Sequence, residues 1–374
     1  MSISLRKLAF TVSAASLLAS GVLALTLSVA RADEEKVVNV YNWSDYIADD
    51  TLARFTAETG IKVNYATYPD NETLIAKLSA GHSGFDVVFP SASFLTNQIK
   101  GGVFQKLDRT KLGNFDKLSK TTLKLLDTYD PGNLYAVPYM LAPTVIAYNP
   151  DKVKKLLPDV PLNSWALLFD PAVTEKLKKC GISLLDAPDE VVPAALAYLG
   201  RSPTSLSKED LAAAIEQVQK NRANYKYIHS EKYRNDLSSG DLCLAQGYGG
   251  DLVQARDKAL AAKNGVKIEI FVPKEGAQAV TDVMAVPADA PHPDNALKFI
   301  NFILRPDVIG AISTKTGYRN SVAGAEKFTS ADLLADPVIY PSDAVQQSLF
   351  VVPTPSQDYL TARNRAWTKF KTHY

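Results

Sequence analysis

The feature that most constrains the fold is a regular alternation of strand-like and helix-like segments, each closed by a turn signal. Residues 36–89 form the order strand, helix, strand, helix, strand, and Gly60 and Gly81 end the two helices. The last segment, Phe85–Phe89, is apolar except for one aspartate and is followed by Pro90. Strands separated by helices at this spacing pair in parallel through right-handed crossovers. The sequence therefore predicts an α/β fold.

The same order returns beyond Pro143. Residues 180–185 and 242–246 have the pattern of strands, and each leads through a turn into a helical segment. A largely apolar strand, Val280–Val286, comes later and is followed by an amphipathic helix from Asn295. A mature chain of about 340 residues is too long for one ordinary core. We therefore expect two α/β lobes, with a ligand cleft where the strands end.

The first 32 residues have the pattern of a secretory signal peptide. Arg6 and Lys7 precede an apolar run without acids, and Ala30-Arg31-Ala32 has the small-x-small form of a cleavage site. A retained membrane anchor is the alternative. Cleavage after Ala32 would remove three of the 41 basic residues and leave 38 beside 40 acidic ones, a net charge of −2. That near-neutral balance argues against nucleic acid as the partner.

Two cysteines, Cys180 and Cys243, are the whole cysteine content. Outside the cytoplasm, one even pair predicts a single disulfide, and two buried free thiols are the alternative. Neither cysteine has a Cys or His neighbour at ligand spacing, and the four histidines are scattered. The sequence gives no reason to expect a metal or another cofactor.

The segment Tyr41-Asn-Trp-Ser-Asp-Tyr46 follows the first predicted strand and combines three aromatic rings with a hydroxyl and a carboxylate. Aromatic faces attract an ammonium group, and a nearby carboxylate supplies the countercharge. This composition favours a cation site. The alternative is a purely structural role, in which the rings close the strand and Asp45 caps the next helix.

Three further acids occupy positions where a charge needs an explanation. Glu190 and Asp251 lie near predicted helix starts, where the helix dipole keeps a carboxylate ionised and where simple capping is the alternative role. Asp282 begins an otherwise apolar strand. A lone buried carboxylate is costly, so Asp282 either pairs with a Lys or Arg of the protein or receives a cation from outside.

Several long motifs then resemble one family, the periplasmic putrescine- and spermidine-binding proteins of bacterial ABC importers. The likeness extends from Val37 to Lys369. The motifs, in the order of that family, are YNWSDYI at Tyr41–Ile47, ETGIKV at Glu58–Val63, GFDVVFPSASF at Gly84–Phe94, AVPYM at Ala136–Met140, DAPDE at Asp186–Glu190, GDLCLAQGYGGD at Gly240–Asp251, VPKEG at Val272–Gly276 and LRPDVI at Leu304–Ile309.

The resemblance implies a periplasmic, monomeric binding protein that closes two lobes on a linear di- or polyamine, putrescine above all, and passes it to a membrane permease. It implies that residues 33–142 and about 279–325 form the first lobe, and that residues 143–278 and about 326–374 form the second. The implied ligand-binding residues are Trp43, Ser44, Asp45, Tyr46, Ser91, Glu190, Tyr248, Asp251, Asp282 and Tyr318. Among these the four acids would neutralise ammonium groups and the rings would enclose the methylene chain.

Four positions depart from the family pattern and leave the choice of amine open. Val280 and Leu141 replace aromatic residues, and Tyr248 replaces a tryptophan of some members. Arg319 follows Tyr318 where a small residue is common, so it points away, pairs with an acid, or marks a ligand with a negative end. Two other functions remain: an amine sensor that signals to a membrane receptor, and a secreted α/β enzyme. The motifs of such enzymes are absent from the sequence, because Phe85 replaces the last glycine of a G-x-S-x-G elbow.

Overall fold

The computed structural model describes residues 34–372, and the predicted signal peptide lies outside the described residues. The strands in that range are β1 (Val37–Trp43), β2 (Lys62–Tyr68), β3 (Val87–Val88), β4 (Ala136–Tyr148), β5 (Ile182–Leu184), β6 (Tyr227–Ile228), β7 (Leu244–Tyr248), β8 (Glu269–Phe271), β9 (Ala277–Ala285) and β10 (Leu349–Phe350).

Helices follow most of the strands. The α-helices are α1 (Thr51–Thr59), α2 (Asn71–Ser79), α3 (Leu95–Lys100), α4 (Lys120–Leu126), α5 (Pro150–Leu156), α6 (Ala166–Phe169), α7 (Pro171–Leu177), α8 (Pro188–Tyr198), α9 (Lys208–Lys220), α10 (Tyr233–Ser239), α11 (Gly249–Ala262), α12 (Pro293–Ile303), α13 (Pro306–Thr316), α14 (Ala331–Leu334), α15 (Asp343–Ser348) and α16 (Gln357–Thr372). Short 3-10 helices span Ala92–Phe94, Arg109–Lys111, Phe115–Lys117, Lys178–Cys180, Arg222–Asn224 and Ala325–Phe328. Within residues 34–372, no helix is long and apolar enough to cross a membrane.

Strand pairing confirms the predicted α/β fold. β1 pairs in parallel with both β2 and β3, and β5 pairs in parallel with both β6 and β7. The full strand order is β2-β1-β3-β9-β4-β7-β5-β6, with β10 on β9 and β8 on β4. Each parallel group has a helix in its crossover, as the alternation in the sequence requires.

Two long antiparallel strands connect the halves of the molecule. The first part of β4 pairs with β9 through Pro143, and from Thr144 onward β4 pairs with β7. β9 likewise pairs with β10 at its start and with β4 afterwards. These are crossover strands, and they place the carboxyl end of β1 and the carboxyl end of β7 on either side of the same cleft.

Separate hydrophobic cores hold the two lobes. On one side of the crossover, two clusters cover opposite faces of the β1–β3 sheet, around Phe55 and Phe299 and around Leu74 and Leu95. On the other side, one large cluster surrounds β5 and β7 and includes Trp165 and helix α8. The layered arrangement buries nearly every residue of the inner strands β3, β5 and β7, whereas the edge strand β2 stays partly exposed and carries polar residues.

The predicted disulfide between Cys180 and Cys243 is confirmed. The two Cα atoms are 5.5 Å apart, and the bond links the segment before β5 to the segment before β7. The two acids predicted near helix starts lie there. Helix α8 starts at Pro188, two residues before Glu190, and contains Pro193, and α11 starts at Gly249, two residues before Asp251.

Candidate functional site

A cavity with a volume of about 850 Å³, including its open mouth, lies between the two lobes. Loops at the carboxyl ends of parallel strands supply most of its wall, which is the usual position of a ligand site in an open α/β sheet. Its lining residues are Trp43, Ser44, Tyr46, Tyr68, Pro69, Asp70, Asn71, Glu72, Ser91, Ala142, Asp186, Ala187, Asp189, Ser230, Glu231, Arg234, Tyr248, Asp251, Val280, Asp282 and Tyr318.

Aromatic rings in the cavity wall are fixed by their own contacts. The Trp43 indole donates to the carbonyl oxygen of Phe89 at 2.7 Å, and its ring centroid is 4.6 Å from that of Tyr68. Tyr46 and Tyr318 meet edge to face at 4.8 Å. Rings held in this way present apolar and cation-attracting surface without losing side-chain entropy when a ligand binds.

The first polar group, which we call the Asp282 subsite, consists of Asp282, Tyr46 and Ser91. The Tyr46 hydroxyl donates to one carboxylate oxygen at 2.8 Å, and the Ser91 hydroxyl donates to the other at 2.7 Å. Asp282 is only 9% exposed, and burial raises its pKa to about 6 despite the two hydrogen bonds. Among residues 34–372, no Lys, Arg or His forms an ion pair with it.

Ser91 is itself held in place. Asn71, the first residue of α2, accepts from the Ser91 backbone N–H at 3.1 Å and donates to the Ser91 hydroxyl oxygen at 3.2 Å. Asp70 rather than Asn71 caps the helix, because its carboxylate accepts from the Thr73 N–H at 2.7 Å. The amide of Asn71 is thereby free to orient the hydroxyl that contacts Asp282.

The second group, the Asp251 subsite, consists of Asp251, Tyr233, Tyr318, Arg234 and Asp45. Tyr233 and Tyr318 donate to the two carboxylate oxygens of Asp251 at 2.8 and 2.9 Å. Burial raises the pKa of Asp251, and the guanidinium of Arg234, 3.8 Å away, opposes that rise. The same guanidinium is 3.2 Å from a carboxylate oxygen of Asp45.

Gly250 explains how Tyr318 comes so close to the start of α11. A Cβ atom at this position would collide with the Tyr318 ring. The glycine before Asp251 therefore lets the Tyr318 ring, from the segment after α13, lie against the start of α11 and reach the Asp251 carboxylate. In the sequence, the pair Gly249-Gly250 has the appearance of a turn, yet its second member is a packing requirement.

A third acidic group, Glu72 and Asp189, also belongs to the cavity wall. Burial, with the charge of Asp189 in addition, raises the pKa of Glu72 to about 7. Behind them, the carboxylate of Glu190 accepts from Thr144 at 2.6 Å and from Gln278 at 3.1 Å. Glu190 is buried, and desolvation raises its pKa well above the ordinary value.

Most of the residues predicted from sequence meet at this one cavity, and two do not line it. Asp45 is 71% exposed and touches the site only through Arg234, while Glu190 lies behind the wall and its neighbour Asp189 takes the place at the surface. The predicted residues that line the cavity are Trp43, Ser44, Tyr46, Ser91, Tyr248, Asp251, Asp282 and Tyr318. Their assignment to ligand binding remains a prediction.

The position of Arg319 decides between the options that the sequence left open. Its backbone pairs with Leu141, by hydrogen bonds of 2.7 and 3.1 Å, and its guanidinium lies 5.4 Å from the ring centroid of Tyr340. Neither Arg319 nor Leu141 lines the cavity, although the adjacent residues Tyr318 and Ala142 do. Val280 does line the wall.

Sequence reasoning missed Arg234, Glu72 and Asp189. Arg234 belongs to α10, a short helix without a recognisable motif, and nothing in its sequence neighbourhood sets it apart from surface arginines. Asp189 lies inside the motif DAPDE, next to the predicted Glu190, and Glu72 and Asp189 belong to the first turns of α2 and α8. The clustering of acids in first turns was the signal that could have found these two. Among residues 34–372, no group of His, Cys, Asp or Glu is arranged to hold a metal ion.

The chain is similar to one protein family and, over nearly its whole length, to two putrescine-binding proteins. The family described as bacterial extracellular solute-binding protein matches residues 50–340. The putrescine-binding periplasmic protein SpuD of Pseudomonas aeruginosa is 47% identical over 94% of this chain and 97% of its own length. The putrescine-binding periplasmic protein PotF of Escherichia coli is 46% identical, over 95% and 96%.

A solved structure shares the whole architecture. A putative spermidine/putrescine ABC transporter protein from Listeria monocytogenes superposes with a TM-score of 0.80 at 28% identity, and the match covers 91% of this chain and 100% of that one. The two-lobe arrangement around a central cleft is therefore common to both proteins.

Proposed function

The chain belongs to the bacterial extracellular solute-binding proteins, and on that premise we propose that it captures a linear di- or polyamine between its lobes. In this proposal the protein acts in the periplasm, after loss of residues 1–32, as a monomer. It delivers the unmodified amine to the permease of an ABC importer and catalyses no reaction. The putrescine-binding relatives support this ligand class.

Asp282 supports this proposal most directly, because its buried carboxylate lacks a countercharge among residues 34–372. The carboxylate faces the cavity and accepts two hydroxyl hydrogen bonds. A buried carboxylate without a countercharge is unfavourable, and an ammonium group from outside would relieve that cost. The two hydroxyl donors orient the carboxylate for such a guest.

The charge of the cavity wall supports a ligand with more than one positive charge. Seven carboxylates and a single guanidinium line it, the acids being Asp70, Glu72, Asp186, Asp189, Glu231, Asp251 and Asp282. Such a surface produces a negative potential that concentrates cations. The rings of Trp43, Tyr46 and Tyr248 supply the apolar contact that a methylene chain needs.

The hydrophobic cores support the proposed lobe boundaries. We propose a first lobe of residues 33–142 and about 279–325, and a second of 143–278 and about 326–374. The two clusters of the first lobe draw on residues between Val38 and Ala142 and between Val283 and Ala325. The cluster of the second draws on residues between Val145 and Ala277 and on the chain after Leu333.

Isothermal titration calorimetry on the mature protein, refolded to remove any carried-over ligand, tests the proposal. We expect putrescine, cadaverine, agmatine or spermidine to bind, and mass spectrometry to recover the amine unchanged. Glutamate is the control ligand, because its net charge is negative. Binding of glutamate or a neutral solute, with every amine silent at millimolar concentration, would refute the assignment.

A further inference from the structure

Arg234 is a resident cation inside a cavity otherwise lined by acids. It is the one Lys or Arg among the lining residues, all of which lie in residues 34–372. Its side chain is 16% exposed, and it reaches across the cleft from α10 to the loop after β1, where it meets Asp45 at 3.2 Å. An arginine remains charged under all ordinary conditions, so this guanidinium always brings a positive charge into the cavity.

The Arg234 guanidinium lies beside the carboxylate of Asp251, in the cavity wall. Both oxygens of Asp251 already accept from tyrosine hydroxyls, and the Nε atom of Arg234 lies 3.8 Å from one of them. Arg234 therefore offsets part of the negative charge of Asp251, although it shares its own charge with Asp45. At the Asp282 subsite no described residue provides such an offset.

A second ammonium brought to the Asp251 subsite would have to displace the guanidinium or lie beside it. Two like charges in a desolvated site repel one another, and the repulsion weakens binding. A carboxylate or carbonyl oxygen at the same place would instead accept from the N–H groups of Arg234, which offers donors in a fixed planar fork.

We propose that Arg234 tunes specificity at the second end of the amine: it weakens the binding of an ammonium group at the Asp251 subsite and strengthens the binding of a carboxylate or another hydrogen-bond acceptor there, so the preference of the cavity for a diamine is smaller than it would be without the arginine. The first, ammonium end of the ligand binds at Asp282. This inference rests on the proposed function, because it refines which amine the same cavity selects.

Cadaverine and 5-aminopentanoate form a matched pair of probes, since both carry an ammonium on a five-carbon chain and differ only at the other end. Calorimetry measures both ligands with the wild-type protein, Arg234→Gln and Arg234→Lys. We expect Arg234→Gln to bind cadaverine at least tenfold more tightly and 5-aminopentanoate at least threefold more weakly. Arg234→Lys keeps the positive charge and is expected to keep the wild-type ratio of the two affinities within threefold.

Lys258→Gln is the control for net charge, because Lys258 is exposed, lies on the neighbouring helix α11 and does not line the cavity. It should leave both affinities within threefold of wild type. If Arg234→Gln melts below the assay temperature, Arg234→Met, which retains the aliphatic stem, carries the same expectation.

The role of Arg234 would be overturned if the ratio of the cadaverine affinity to the 5-aminopentanoate affinity were the same in Arg234→Gln or Arg234→Met as in the wild-type protein. A change of that ratio in favour of 5-aminopentanoate would also overturn it. An equal shift in Arg234→Lys and Arg234→Gln would also overturn it, because charge would then not be the cause. Amine binding with an unchanged ratio leaves the proposed function intact, whereas failure of every amine with every variant removes both proposals.

Discussion

Asp282, which is buried, and Asp251, whose side chain is 15% exposed, both accept hydroxyl hydrogen bonds at the wall of one cavity, yet they differ in what offsets their charge. Asp282 has Tyr46 and Ser91 as donors and no cationic partner among residues 34–372. Asp251 has Tyr233 and Tyr318 as donors and Arg234 nearby. The Tyr46 and Tyr318 rings, 4.8 Å apart, join the two subsites. The same type of residue thus has no cationic partner at one subsite and a shared one at the other.

The difference shows that hydrogen bonds and charge balance are separate properties of a binding site. Hydroxyl donors orient each carboxylate and favour its ionised form, but they do not supply a countercharge. Only the arginine does so, and it is present at one subsite. A count of acids therefore overstates how many ammonium groups the cavity is able to hold.

Substitution of the two aspartates should produce the largest contrast. We expect Asp282→Asn to weaken the binding of cadaverine by about 2–5 kcal/mol, the range for loss of one partner of a desolvated ion pair. Asp251→Asn should weaken cadaverine binding less, because Arg234 already offsets part of the Asp251 charge. Calorimetry at pH 8 measures both, with circular dichroism as the check of folding. A loss in Asp251→Asn that equals or exceeds the loss in Asp282→Asn would break the comparison.

The substitution Asp282→Asn, which should weaken binding, should make the ligand-free protein more stable. Burial raises the pKa of Asp282 to about 6 in the folded protein, above its unfolded value, so the folded state binds the proton more tightly. Ionisation of Asp282 therefore lowers the stability of the folded state. This loss of stability is complete above about pH 6, the pKa in the folded protein, and absent below about pH 4, the pKa in the unfolded chain. Asp282→Asn should raise the free energy of unfolding at pH 8 by about 1–3 kcal/mol.

Urea denaturation at pH 8 and pH 4 measures this gain, which should shrink at the lower pH. Asp251→Asn is the matched variant, and its gain should be smaller or negative, since Arg234 would lose one of its two carboxylate partners. Equal gains for the two variants at pH 8 would show that the arginine does not distinguish the subsites.

The pH dependence of binding should give the smallest of the three effects. With a pKa of about 6, Asp282 is mostly protonated at pH 5, and the affinity for cadaverine should fall at least about tenfold between pH 8 and pH 5. Glu72, with a pKa of about 7, should add to that fall. In Asp282→Asn, the affinity for cadaverine should depend less on pH, and the remaining dependence should come from Glu72. Asp251→Asn should keep the pH dependence of the wild-type protein. If the affinity of Asp282→Asn for cadaverine changed with pH as much as that of the wild-type protein, groups other than Asp282 would cause the pH dependence.

Much of the site could be predicted because its residues lie in motifs at strand ends. The alternation of strands and helices placed Tyr46, Ser91 and Tyr248 near the carboxyl ends of β1, β3 and β7, and strands of a parallel sheet end on the same edge. Asp282 stood out because a charge in an apolar strand needs a partner. The sequence left open whether that partner belongs to the protein or to a ligand.

Two positions show what could not be predicted. Glu190 and Asp189 are adjacent at the start of α8, and a rotation of about 100° per helical residue sends one behind the wall and the other into the cavity. Which of the two faces the ligand depends on how α8 packs against β9 and the C-terminal helix. Local sequence carries no information on that orientation.

The sequence by itself determined the α/β class, the cysteine pair and the acids and rings of the cavity, because strand and helix periods, turn residues and apolar surroundings are local properties. Only the tertiary structure decided that Arg234, rather than Arg319, supplies the positive charge in the cavity. Arg319 directs its guanidinium to Tyr340, whereas Arg234 reaches across the cleft to Asp45, 189 positions earlier in the chain. An ion pair between such distant segments exists only once both lobes have folded and the crossover strands have brought them together, since no local pattern encodes the distance between their side chains.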